Sequence, residues 1–155
     1  MQYSANFACN RMKYVLLTVF LALTLLCACS SENNPQLQRE NLEQQVLAVH
    51  DTAMAKMGDI YKLRKNLRSL RDTLEAQQQA DSAILKNLQL HIQLLNQADE
   101  AMMAWMRQYK APAEEQENEQ AINYLQQELV KIEKVQTLMD STINAARSTY
   151  NTNEK

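Results

Sequence analysis

From Leu42 the apolar residues advance alternately by four and three, through Val46, Val49, Ala53, Ile60, Leu63, Leu67, Leu70 and Leu74, and only Lys56 breaks the step. A strand would repeat every second residue; steps of three and four keep one stripe of a helix facing a partner, with left-handed supercoiling. A second stripe runs beside it through Leu47, His50, Met54, Met57 and Tyr61. This helix therefore has two neighbours rather than one.

The pattern fades over Gln77-Gln78-Gln79-Ala80, with Asp81 placed to cap a new helix. It resumes through Ile84, Leu85, Leu88, Ile92, Leu95, Met102, Trp105, Met106 and Tyr109 and stops at Lys110-Ala111-Pro112. A third helix is predicted to start in the acidic run Glu114, Glu115, Glu117 and Glu119, which suits the positive end of a helix dipole. It continues through Ile122, Leu125, Leu129, Ile132, Val135, Met139, Ile143 and Ala146 to about Tyr150. The chain has a single glycine, Gly58, and two prolines, Pro35 and Pro112, whereas sheets and their turns want more glycine and more β-branched residues. The expectation is an all-α fold: an antiparallel three-helix bundle with coiled-coil-like packing. Its helices cover residues 37–77, 81–110 and 114–150 within a bundle of residues 37–152.

Ahead of the bundle, Arg11 and Lys13 precede an apolar run from Tyr14 to Leu26, followed by Leu26-Cys27-Ala28-Cys29. Charge, apolar stretch and small-residue site stand in the order of a secretory signal, and about a dozen apolar residues fall short of the roughly 20 that span a bilayer. Leucine, two small residues and cysteine resemble the lipobox of bacterial lipoproteins, so residues 1–28 read as a lipoprotein signal peptide and Cys29 as the lipidated residue. Cys27 fits less well, because Leu25 and Leu26 would occupy positions that want small side chains. Residues 1–10 are polar and add nothing to a signal, which makes Met12 the more natural start. Residues 29–36 form a tether, Ser30-Ser31-Glu32-Asn33-Asn34-Pro35 lacking any apolar residue. Two or more acyl chains hold a protein firmly where one does not, so the membrane is a permanent partner. Ser30 after the cysteine, in place of aspartate, favours the outer membrane, and the leaflet stays open.

Cleavage there removes Cys9, Cys27, Arg11 and Lys13, leaving 14 basic against 18 acidic residues, a net charge of −4, and Cys29 as the remaining cysteine. No disulfide can form, and nucleic acid, which demands a basic face, is excluded as a partner. About 125 residues suit one small domain.

If the first hairpin turns near Gln79, residues whose numbers sum to about 158 lie side by side. Met57 then faces Ala101, Met54 faces Ala104, and His50 lies near Gln108. One level of the bundle gathers His50, Met54 and Met57 with Met102, Trp105 and Met106, and with Met103 nearby. Met and His suit Cu(I), and a Met–His pair can ligate haem iron; His50, Met54, Met57, Met102 and Met106 are the candidate ligands. Alternatively the sulfurs simply fill core gaps against Trp105. A third reading is a docking surface, because flexible Met-rich faces receive partner helices; its residues are Met54, Met57, Met102, Met103, Trp105 and Met106.

Arg64, Arg68 and Arg71 share a helix face in a crowded basic stretch with Lys62 and Lys65, read as solvated, with Glu133 and Asp140 of the third helix as weak partners. His50 and His91 are the only histidines, His91 lying between Leu90 and Ile92. No nucleophile has an evident base and no glycine-rich phosphate loop exists, so the chain reads as a non-enzyme without a cofactor.

The segments from His50 to Ile60 (HDTAMAKMGDI) and from Ala98 to Met106 (ADEAMMAWM) resemble a group of Bacteroidota-type helical lipoproteins often labelled "viral A-type inclusion protein". Tyr124-Leu125-Gln126-Gln127-Glu128, with Lys131, Ile132 and Val135, is similar to that group as well. The chain departs from it at Thr52-Ala53, where an acidic residue and valine would stand. The resemblance implies a helical envelope lipoprotein and supplies no catalytic residue. The function read from the sequence is a non-enzymatic adaptor, spacer or accessory subunit whose partner is another envelope protein, with a soft-metal or haem-handling module as the alternative. The oligomeric state, a dimer included, is open.

Overall fold

A computed structural model describes residues 34–77 and 81–154. The candidate lipidation site Cys29, the signal peptide and most of the tether lie outside the described residues. Among those described, all regular structure is helical: α1 (Pro35–Met54), α2 (Met57–Ala76), α3 (Ser82–Gln108) and α4 (Asn118–Asn153). No helix among them is long and apolar enough to cross a membrane.

The stripe anticipated over residues 37–77 is carried by two helices rather than one. Ala55 and Lys56 form a turn, in which the Lys56 N–H donates to Ala53 O at 3.0 Å, a tighter closure than the α-helical step. Lys56 itself stays in the right-handed region, at φ −88° and ψ −9°. The seven-residue spacing survives the turn, because Val46, Ala53, Ile60 and Leu67 are all fully buried. Gly58 stands just beyond, with open space where a Cβ would lie, so packing does not demand glycine there. It lowers helical propensity by roughly 1 kcal/mol at the point where the helix is interrupted.

α3 runs antiparallel to this rod: Arg64 bonds Asp99 and Asn96, Arg71 bonds Gln89, and the His50 ring lies against Trp105. These pairs sit within a few residues of the sum expected from a turn near Gln79. Asp81 caps α3 as anticipated, its carboxylate accepting from the Ala83 N–H at 3.0 Å. α4 runs parallel to α1 and α2, since Arg39 meets residues 112–116, Lys56 meets Asp140 and Asp59 meets Arg147. Three rods thus pack around one core, in which Leu88, Leu95, Met102, Leu125, Ile132 and Met139 are fully enclosed. Each such side chain contributes about 1.5–3 kcal/mol by leaving water, enough together to hold helices that would not persist alone.

α4 starts at Asn118, four residues later than the acidic run suggested. The backbone of the preceding loop is engaged elsewhere. Arg39 Nη2 donates to Pro112 O at 3.1 Å and Ala113 O at 2.7 Å, and its Nη1 to Gln116 O at 3.2 Å and Glu114 O at 3.5 Å. The end of α1 that overhangs α3 is in this way covered by the α3–α4 loop, gathered around one buried guanidinium.

Candidate functional site

The level containing His50, Met54, Met57, Met102, Met103, Trp105 and Met106 forms where α1 and α3 pass each other beside α4, and its members divide between interior and surface. Met102 is fully buried in the core. Trp105 is 7% exposed, with its Nε1–H donating to Glu128 Oε2 at 3.0 Å. His50, Met54 and Met57 are half-buried, and the two methionines pack on the core from outside. Met103 and Met106 stand open, at 40% and 39% exposure. The surface part of the level is therefore Met103 and Met106 with the flanks of Met54 and Met57, while Met102 and Trp105 are its buried members.

Trp105 is the centre of an aromatic column. The His50 ring lies 5.5 Å from it at 33°, Tyr109 stacks on it at 4.8 Å, and Tyr124 follows Tyr109 at 6.4 Å. Helical spacing explains the order: residues 105 and 109 are one turn apart on α3, and Tyr124 lies on the antiparallel α4 opposite them. His50 Nδ1 is hydrogen-bonded to Asp51 Oδ1 at 2.9 Å. The Tyr124 hydroxyl accepts from the Lys110 N–H at 3.0 Å, satisfying a backbone donor just past the end of α3. The Tyr109 hydroxyl is buried without a hydrogen bond to any described residue. Burial, reinforced by the negative charge of Glu43, by Tyr124 and by Glu128, pushes its pKa up to about 12.

Glu128 is the polar member of this level. Its carboxylate is buried, with one oxygen taken by the indole and the other accepting from Lys131 Nζ at 2.7 Å. The lysine is held above its usual pKa by that bond. Neither Glu128 nor Arg39 is marked by hydropathy, yet both obey the spacing of the core: Arg39 lies seven residues before Val46, and Glu128 three after Leu125. A polar residue at a core-facing step is the signal that identifies each.

Among the described residues no three His, Cys, Asp or Glu side chains gather as a metal-holding group. His91, on α3 away from this level, has a buried Nδ1 with no partner among the described residues, and burial lowers its pKa. The arginine face of α2 is paired across to α3 rather than to Glu133 and Asp140. Arg64 bonds Asp99 at 2.8 Å and Arg71 bonds Gln89 and Asp72, while Asp140 is taken by Lys56. The heptad phase explains this, because Arg64 and Arg71 project from the side of α2 that meets α3.

No protein-family model, curated protein or solved structure matches the chain. Chemically, the site offers an apolar, polarisable methionine surface beside a buried aromatic column, which suits contact with another apolar surface.

Proposed function

We propose that this chain is a cell-envelope lipoprotein, held at the outer membrane by acyl chains on Cys29, and that it works without catalysis as a helical adaptor, spacer or accessory subunit for another envelope protein. The observation that carries the contact role is the exposure of Met103 and Met106 at this level. Unbranched thioether side chains repack against different partners at little cost, while the indole of Trp105, hydrogen-bonded to Glu128 in the core, holds α3 in place. The charged stretch, apolar run and Leu26-Cys27-Ala28-Cys29 support the anchor. The resemblance of residues 50–60 and 98–106 to helical envelope lipoproteins agrees with that setting.

The test has two arms on the full-length protein expressed in an envelope-bearing bacterium. Metabolic labelling with a clickable fatty acid should mark wild type and not Cys29→Ala. Crosslinking from intact cells should capture an envelope protein with wild type and lose it with Met103→Lys/Met106→Lys. These two positions are exposed, so the double variant keeps its circular dichroism, whereas a charge at buried Trp105 would disrupt the core. Absence of label, or capture indifferent to the double variant, would refute the respective arm.

A further inference from the structure

The flank of α1 and α2 that continues this open surface has a pattern of its own. Glu40, Leu47, Met54, Tyr61 and Arg68 recur at seven-residue intervals, so they form one line down the outside of the rod. Leu47 and Tyr61 are 43% and 61% exposed, large side chains that no other part of the described bundle covers. Glu40 and Arg68 are exposed at the two ends of the line. Glu40 accepts one bond from Gln36, and Arg68 has no hydrogen bond or ion pair to any described residue.

Read from either end, the line has the same grammar with opposite charge: acid, apolar, methionine, apolar, base. We propose that this flank is where a second copy of the chain pairs, antiparallel about Met54. Leu47 then lies against the other copy's Tyr61, Met54 against its own counterpart, and Glu40 against Arg68. A two-fold axis through the Met54 pair makes the Leu47–Tyr61 and Glu40–Arg68 contacts occur twice each, as an isologous interface requires. Parallel pairing would set Glu40 against Glu40 and Arg68 against Arg68, so charge selects the antiparallel arrangement. The surroundings repeat the bias: Glu43 accompanies the acidic end, while Lys62 and Lys65 at the basic end are exposed and bonded to no described residue. From Glu40 to Arg68 the seam is about 42 Å long at 1.5 Å per residue. The inference rests on the reading of this flank as a contact surface and is independent of the lipid anchor.

The experiment is sedimentation velocity of the full-length protein in a mild detergent, with circular dichroism as the control for folding. Wild type should sediment as a dimer whose dissociation rises with salt. Glu40→Arg alone and Arg68→Glu alone each set like charges together at both ends of the seam and should weaken dimerisation about tenfold or more. Combining the two substitutions restores opposite charges and should restore the dimer. A monomer at all concentrations, or a dimer that ignores both single swaps, would overturn the proposal. So would a double swap that fails to recover. If the chain is monomeric yet crosslinking still loses an envelope partner with Met103→Lys/Met106→Lys, the methionine surface serves a different protein and only this inference falls. If the dimer forms and swaps as described but no partner is captured, the adaptor reading falls alone.

Discussion

Trp105 and Glu128 are joined across α3 and α4 by a 3.0 Å bond from the indole N–H to a carboxylate oxygen, inside the bundle rather than at its surface. The indole supplies a large apolar face to the core, and its single donor must be satisfied once it is buried. Glu128 meets that demand and in turn has its other oxygen tied to Lys131 at the surface. Replacing Glu128 with alanine orphans the indole N–H and should cost about 1–3 kcal/mol. Glu128→Gln keeps an acceptor for the indole and should cost less, losing the charge assistance and the bond from Lys131. Urea denaturation followed by the fluorescence of Trp105, the only tryptophan, measures both. A cost for alanine no larger than for glutamine would show that the bond contributes little.

Arg39 supports a second prediction, because one guanidinium serves four carbonyls between Pro112 and Gln116. A lysine keeps the charge but has no planar fork and cannot reach all of them. Arg39→Lys should lose about 1–2 kcal/mol and Arg39→Ala about 3 kcal/mol. The damage should be local. Hydrogen exchange should speed up in residues 113–121, at the start of α4, before it changes around Leu95 or Ile132. Uniform loss of protection would contradict the clamp.

Much of this architecture is legible in the sequence, and what is not has a common cause. The steps of three and four name Val46, Ala53, Ile60, Leu67, Leu88, Leu95, Leu125, Ile132 and Met139, all buried in the structure. Apolarity fails where a core-facing step is filled by another kind of residue. Ala98 and Ala121 are fully buried but lie outside the apolar steps read from the sequence, and Arg39, Glu128, Thr142 and Thr149 are buried but polar. α4 shows the rule best, since residues 121, 125, 128, 132, 139, 142, 146 and 149 continue the spacing through glutamate and threonine. The level at Trp105 was recognisable as a gathering of Met, His and Trp. Its division into interior and surface was not, because spacing places residues on a face without saying how deeply two rods bury it.

Tyr109 leads to a prediction with a defined pH window. Its pKa is about 12 in the folded chain, above the ordinary value near 10. The folded state therefore favours the neutral phenol. That stability is fully present below pH 10 and is lost as pH rises from 10 towards 12, where the unfolded chain ionises and the folded one does not. Tyr150 is also raised, by its bond to Glu154, so the comparison must isolate Tyr109. The difference in urea midpoint between wild type and Tyr109→Phe should shift in favour of the variant across that window. Below it the variant should be at least as stable, because the hydroxyl it removes has no partner among the described residues. A constant difference from pH 8 to 11 would mean that Tyr109 ionises as freely folded as unfolded.

Lys56 is the one break in the first stripe, and its partner explains why a charge is tolerated there. It sits at the step where Leu63 or Val49 would repeat, on the side facing α4, and its ammonium bonds Asp140. The pair is not deeply buried, with side-chain exposures of 28% and 45%, so its net worth is about 0–1 kcal/mol. A leucine at the same step would pack against α4, adding to what the lysine stem already buries. Lys56→Leu should therefore raise stability by about 1 kcal/mol, since Asp140 is open enough to return to water. In a double-mutant cycle with Asp140→Ala, the coupling between the two sites should fall below about 1 kcal/mol. What the pair supplies in exchange is register, because one charge at one step forbids α4 from sliding by a heptad without exposing both ions to the wrong neighbours. Crosslinks between cysteines placed at residues 59 and 147, which face each other across α2 and α4, should form cleanly in the lysine protein. They should form less selectively, alongside shifted pairs, in the Lys56→Leu variant. Loss of stability in that variant would show that the ion pair outweighs the apolar contact it displaces.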